Sequence, residues 1–353
     1  MAQLRVDACE GCQTARPRTE PIASEIALEL TPFASLSPDR VLSAAEALGL
    51  DPDGRLFALN SYENRVYRVG RHDADPVVLK FYRAGRWSDE QILEEHAFAT
   101  ELAAADIQVV APIALEGATL RVVDEFRIAA FPLRPGGAPD LDQPEARELL
   151  GRTLARIHAI GALQPFRVRR TLSGELLGRS ARERVLDSGH LPQHMEERYA
   201  QVSEALIEAI DQVWSEVGPI RRIRLHGDCH LGNILWQAQG PVFVDLDDCL
   251  NGPAIQDLWM FLSGSPNEQG RQWSELMSGY ERFARIEYHE IRLIEALRAS
   301  RMLNHAAWIT ERWADPAFPR AFPWFGEARY WEQHVNDLAE QGAAVEDPPF
   351  RGL

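Results

Sequence analysis

Residues 134–144, RPGGAPDLDQP, divide the chain into two halves of different periodicity, and no other stretch restricts the fold as strongly. Ahead of this loop, LFALNSYENRVYRVG and PVVLKFYR carry the alternating or continuous apolar character of strands. The turn-rich RHDADP separates them, so a hairpin or meander is expected. VAPIALEG with TLRVVDEF, and then RIAAFPL, read as further strands. One helix lies among them: Ser88 is an N-cap candidate, and Ile92, Leu93, Phe98 and Leu102 keep a helical rhythm. An earlier helix is expected in SPDRVLSAAEALGL, with Ser37 as cap, Pro38 at the first helical position and an end near Gly49. Behind the loop the chain turns helical. EARELLGRTLARIHAIG and ERYAQVSEALIEAIDQVWSEV space apolar residues by three and four with charges between, and IRLIEALRASRMLNHAAWITERW continues in helices.

A Pro- and Gly-rich loop between a β-rich segment and a helical one reads as a hinge. The expected division is a flexible extension over residues 1–30, a smaller lobe over 31–134 and a larger one over 135–353. A length of 353 residues suits two lobes, and 45% hydrophobic residues suffice for a sizeable core.

Charge and cysteine usage remove several function classes. Lys and Arg number 37 against 53 Asp and Glu, a net charge of −16 that repels a phosphate backbone, so nucleic acid is not an expected partner. No apolar run approaches the roughly 20 residues that span a bilayer, and the N-terminus lacks the apolar centre of a secretory signal. No membrane partner, a cytoplasmic location and a monomer are the expectations. The cysteines, Cys9, Cys12, Cys229 and Cys249, are too few and scattered for a disulfide framework. Cys9 and Cys12 form a C-x-x-C with no second pair, which reads as part of the tail rather than a metal or redox site.

The chemistry concentrates in LHGDCHLGNILW and the following PVFVDLDD. Asn233 follows Asp228 by five positions, and Asp245 stands twelve further on, at the end of a strand. Such a layout can set one carboxylate against an acceptor hydroxyl while an amide oxygen and a second carboxylate hold Mg²⁺, a hard cation that shares oxygen ligands with phosphates. Phosphoryl transfer needs those parts. A transition-metal hydrolase reading of His226, Asp228, His230 and the carboxylates Asp245, Asp247 and Asp248 explains the histidines but not Asn233 or Lys80.

The Asp-to-Asn interval equals that of the protein-kinase loop H-R-D-x-x-x-x-N, with Gly227 in place of its Arg. L-H-G-D-x-H-x-G-N-I-L followed by V-D-L-D-D resembles the aminoglycoside phosphotransferase and choline kinase family of kinase-like folds. LNSYENRVYRV, VVLKFYR, DQILEEH, NGPAIQDLW and RWADPAFP resemble a branch of it, bacterial cytoplasmic serine/threonine protein kinases of the stress response. The likeness covers about residues 36–349. It implies an α+β, two-lobed, protein-kinase-like fold with a small β-rich N-lobe and a larger, mostly helical C-lobe. It also implies ATP as co-substrate, Mg²⁺, and protein Ser or Thr hydroxyls as acceptors, with autophosphorylation. Acceptors such as choline, homoserine or an aminoglycoside would use the same catalytic residues.

By this resemblance Asp228 and Asp245 are catalytic, Asp228 as proton acceptor at the hydroxyl, and Asn233 and Asp245 are the Mg²⁺ ligands. Asp245 takes the D-F-G position, although Leu246 and Asp247 replace F-G. Lys80 would pair with the α- and β-phosphates, held by Glu95, which is preferred to Glu94 because its spacing to Phe98 and Leu102 turns it inward. Ser61 is the expected ATP contact in a loop that carries no Gly, while Asn64 and Tyr67 fit the wider N-x-x-Y pattern. Phe131 marks the adenine hinge. Asp257 is expected to hold the catalytic-loop backbone, His230 to brace it, and His158 to pack in its helix. Asp247 is either a second metal or amine contact or a solvated turn carboxylate; Asp248 reads as structural. Cys229 and Cys249 adjoin the site; reduced thiols are the expectation, and gating by oxidation of the pair is the lesser alternative. The tryptophans Trp308, Trp313, Trp324 and Trp331 read as core, with some lining the acceptor cleft.

Overall fold

A computed structural model describes residues 32–173 and 178–347; the Cys9 and Cys12 motif lies outside them. Helix α1, Pro38–Ala47, starts where the Ser37 hydroxyl accepts the Arg40 N–H at 3.3 Å. Its buried face, Val41, Ala44 and Ala45, closes one side of a five-stranded sheet. The strands are β1 Pro52–Leu59, β2 Arg65–Arg71, β3 Ala74–Phe81, β4 Arg121–Val123 and β5 Phe126–Pro132, in the order β1-β2-β3-β5-β4. Every neighbouring pair is antiparallel.

Two of the expected strands differ. LFALNSYENRVYRVG is not one run: residues 60–64 leave the ladder, and the Ser61 hydroxyl donates to the Asn64 carbonyl at 2.9 Å to close a local turn. VAPIALEG joins the sheet only through one isolated bridge, Ile113 to Ala130, while a bridge from Leu115 to Ala118 closes its own turn. Pro112 has no N–H to donate, and Gly117 sits at φ +86° in a tight reversal, so the run cannot sustain pairing.

Helix α2, Asp89–Ala104, opens with a capping box: the Ser88 hydroxyl accepts the Gln91 N–H at 3.3 Å, and the Gln91 side chain accepts the Ser88 N–H at 3.0 Å. Ile92 packs against Tyr82 and Trp87, and Phe98 and Leu102 enter the larger core, whereas Leu93 stays 46% exposed.

Seven helices follow among the described residues: α3 Pro144–Gly161, α4 Arg179–Leu186, α5 Gln193–Val217, α6 Pro266–Tyr280, α7 Ile294–Arg312, α8 Ala317–Ala321 and α9 Ala328–Glu346. Helices α3 and α6 touch backbone to backbone. A Cβ at Gly151 would lie 2.0 Å from the Leu276 carbonyl oxygen, and one at Gly279 1.9 Å from that of Glu148, so only glycine fits. Trp331 is wholly buried in this core, whereas Trp324 is 37% exposed. Four short strands, β6 Ile223–Leu225, β7 Ile234–Gln237, β8 Gly240–Phe243 and β9 Leu250–Gly252, pair as two antiparallel ribbons, β6 with β9 and β7 with β8. The β6–β7 and β8–β9 connections therefore lie side by side. No helix among the described residues is long and apolar enough to cross a membrane.

Candidate active site

Gly227 stands at φ +86°, and a Cβ there would meet the Asp248 carbonyl oxygen at 2.1 Å. The position that is Arg in H-R-D is Gly here because the two connections press together. Asp257 fixes the turn, accepting the His226 N–H at 2.7 Å and the Gly227 N–H at 2.9 Å. His158 Nε2 lies 3.3 Å from the same carboxylate and its Nδ1 2.7 Å from the Tyr280 hydroxyl, so this histidine is packed and hydrogen-bonded. Asn233 Nδ2 donates to the Asp228 carbonyl at 3.0 Å, and the Val244 N–H donates to the Asn233 carbonyl at 3.0 Å. These bonds bring Asn233 beside the residue that precedes Asp245.

Asp228 receives Arg301 Nη1 at 2.5 Å on one oxygen, and His230 Nε2 lies 3.3 Å from the other. Burial alone would raise its carboxyl; His230 and Arg301 outweigh it and hold Asp228 well below the usual carboxylate range. The group is thus an ionised acceptor at any working pH.

Lys80 sits in β3 opposite Val66 of β2 and Ala129 of β5. Its ammonium lies 2.9 Å from Asp245 Oδ1, 2.9 Å from Asp247 Oδ1 and 3.6 Å from Glu95 Oε1. Burial penalises the charge, but the three carboxylates raise Lys80 well above an ordinary lysine. The two adjacent glutamates of α2 do different things. Glu95 faces Lys80 and also takes Arg169 Nη2 at 3.0 Å, while burial pushes its carboxyl up to about 7. Glu94 instead accepts the N–H groups of Arg167, Val168 and Arg169 at 2.6, 3.0 and 2.9 Å.

Asp245 adopts the left-handed region at φ +58° and leaves its side chain 53% exposed. Asp247 is not a solvated turn carboxylate: it is 2% exposed and receives Lys80, Arg86 and Asn64. Arg86 Nη2 also reaches Asp248 at 2.6 Å, giving that residue a structural partner. Cys229 and Cys249 are buried and free, and burial pushes both thiols well above their ordinary value, the opposite of what a reactive thiolate needs.

The 60–64 loop is strapped to the helical lobe. Glu63 takes Trp308 Nε1 at 2.6 Å, Arg312 Nε at 2.5 Å and Arg83 Nε at 3.1 Å. Asp315 takes Arg65 at 2.7 Å and Arg83 at 2.6 Å. Asn64 is turned inward, accepting the Arg83 N–H at 3.1 Å and donating to Asp247 at 3.2 Å.

Sequence reading missed Arg301, Arg86, Arg169, Glu63 and Asp315. Arg301 alone left a signal, since Arg298, Arg301 and His305 recur at helical spacing among apolar residues.

Asn233 and Asp245 suit a hard cation. The amide nitrogen of Asn233 is engaged by the Asp228 carbonyl, which leaves its oxygen as the donor atom, and Asp245 adds an accessible carboxylate. Among the described residues no group of three or more His, Cys, Asp or Glu could hold a metal ion, so the hydrolase reading lacks a ligand set.

The phosphotransferase enzyme family model matches residues 56–294, a span that contains Ser61, Lys80, Glu95, Asp228, Asn233 and Asp245. The chain belongs to this family. Among phosphotransferases similar to it, stress response kinase A of Escherichia coli strain K12 is 41% identical over 319 residues, covering 90% of this chain and 96% of that one. Serine/threonine protein kinase RdoA of Salmonella typhimurium strain LT2 is 40% identical over the same coverage. Of solved structures, amicoumacin kinase hAmiN in complex with AMP-PNP, Ca²⁺ and Ami superposes with TM-score 0.64 at 16% identity, over 85% of this chain and 94% of that one. Spectinomycin phosphotransferase APH(9)-Ia with ADP and spectinomycin gives 0.63 at 16% identity, over 87% and 98%. At such identity the likeness is one of fold: the phosphotransferase is an α+β, kinase-like chain with a small sheet lobe and a larger helical part.

Proposed function

We propose that this phosphotransferase is an ATP- and Mg²⁺-dependent serine/threonine protein kinase that also phosphorylates itself, working as a cytoplasmic monomer in a bacterial stress response. The observation that carries the reading is the pairing of Lys80 with Glu95 and Asp245, together with the Asp257-held turn that carries Asp228 and ties Asn233 to Val244, the neighbour of Asp245. The names of the relatives at 40–41% identity favour a protein acceptor.

In this mechanism Lys80 steadies the α- and β-phosphates while Glu95 fixes its direction. Ser61 contacts the nucleotide from its turn. Asp228, ionised, orients the acceptor hydroxyl and receives its proton. Asn233 and Asp245 would hold Mg²⁺, which supplies charge neutralisation for the phosphates. Catalysis rests on positioning and charge, because the transition state is loose.

The test uses γ-labelled ATP with the enzyme itself, a generic basic protein, and a panel of choline, homoserine and aminoglycoside. Label should enter protein with the wild type and vanish with Asp228→Ala while far-UV circular dichroism is preserved. Near-wild-type labelling by Asp228→Ala would overturn the role of Asp228. Labelling of a small hydroxyl compound with none in protein would overturn the acceptor assignment.

A further inference from the structure

Helix α7 carries Arg298, Arg301, Met302 and His305 on one stripe, at spacings of three, four and seven. The stripe lines a cavity of about 420 Å³, joined there by His230 and Trp259. Two of these residues, Arg301 and His230, contact the two carboxylate oxygens of Asp228, so that carboxylate is held from the cavity wall. This is where an acceptor oxygen oriented by Asp228 would stand.

Six other cations around the site are largely buried against carboxylates. Lys80 faces three carboxylates; Arg86 faces Asp247 and Asp248; Arg169 faces Glu95; Arg65, Arg83 and Arg312 face Glu63 and Asp315. Arg301 differs. Its one ion-pair partner among the described residues is Asp228, reached through Nη1 alone, and its side chain is 45% exposed. An exposed pair of this kind contributes little to stability. A guanidinium bound at one terminal nitrogen keeps further donors of its planar fork for a second oxyanion.

A phosphoryl group in transfer spreads its charge over three equatorial oxygens, in line between leaving and attacking oxygens. Lys80 serves the leaving side. We infer that Arg301 is a catalytic residue, holding Asp228 with one nitrogen while its remaining donors bind the equatorial oxygens of the transferring group. This rests on the reading above, in which ATP is the donor and Asp228 orients the acceptor. The acceptor oxygen forms its bond to the γ-phosphorus as the bond to the β–γ bridging oxygen breaks. ADP departs with that electron pair, and the acceptor proton passes to an Asp228 oxygen. Arg301 supplies charge where charge develops, which is worth most in the transition state.

The test compares the binding of ADP with Mg²⁺, alone and with aluminium fluoride, whose planar complex imitates the phosphoryl group in flight, by calorimetry on the full chain. In the wild type, fluoride should tighten ADP binding. Arg301→Ala should lose at least about tenfold of that gain with ADP affinity itself unchanged, Arg301→Lys should recover part of it, and kcat for transfer from ATP should fall about a hundredfold or more. A thermal melt on each variant separates this from misfolding. Equal affinity of wild type and Arg301→Ala for the fluoride complex, an unchanged kcat, or a parallel loss of ADP affinity overturns the role. A wild type that binds no ADP overturns the nucleotide reading as well, and is thereby told apart from failure of Arg301 alone.

Discussion

Glu63 and Arg312 join the 60–64 loop to the end of helix α7, with Arg312 Nε 2.5 Å from a carboxylate oxygen that the Trp308 indole N–H also reaches at 2.6 Å. Burial would raise the Glu63 carboxyl, but Arg86 and Arg312 hold it below its ordinary value. Removing the charge leaves guanidinium groups buried without their partner. Glu63→Gln should destabilise the protein by about 2–3 kcal/mol and raise KM for ATP several-fold with a smaller effect on kcat. Urea denaturation and ATP titration check both; an unchanged midpoint would show that the strap bears no load.

Asp257 is fully buried and accepts two backbone N–H groups, those of His226 and Gly227, at the turn that carries Asp228. Asp257→Ala strands both N–H groups, each at about 1–3 kcal/mol. Stability should fall by about 3 kcal/mol or more, and transfer should be lost while ADP affinity survives. Gly227→Ala should fail the same assay, since the new methyl collides with the Asp248 carbonyl at a φ that L-residues avoid. Transfer at wild-type rate in either variant would contradict this account of the loop.

Glu290 sits 2% exposed behind that loop and accepts the Ile255 N–H at 3.2 Å. Burial pushes its carboxyl from an ordinary 4.5 up to about 7, against the pull of that N–H. Between those values the folded chain keeps a proton that the unfolded chain has released. Stability contributed by this group is therefore full below about 4.5 and declines as pH rises towards 7, by on the order of 3 kcal/mol. Glu290→Gln should flatten that decline. Denaturant midpoints at pH 5, 6, 7 and 8 measure it, and parallel curves for the two proteins would rule it out.

What could be read in advance was local. Ser88 and Gln91 declare their capping box, the spacing of Glu95 to Phe98 and Leu102 orients it, and the apolar period of α3, α5 and α7 shows through. The partners of the charges were hidden, because Glu63 and Arg312 are 249 positions apart and Arg83 and Asp315 are 232. No periodicity encodes such pairs. Asp247 shows the limit well. Three consecutive-looking carboxylates read alike in a string, and only the approach of Lys80, Arg86 and Asn64 makes one of them part of the interior. Helix α4 escaped notice because eight residues with three arginines and one glutamate carry too little apolar rhythm. The split of LFALNSYENRVYRVG was obscured by apolar residues on both sides of a polar turn.

Asp245 holds a left-handed backbone that would suit Gly or Asn better, at a penalty of about 1 kcal/mol. If Asp245 holds metal as proposed, a lineage released from that task would drift at this position towards those residues and gain stability by doing so. Retention of Asp at 245 in descendants of this chain thus serves as a running record of selection for turnover, and its replacement by Gly would mark the point at which a kinase had become a scaffold.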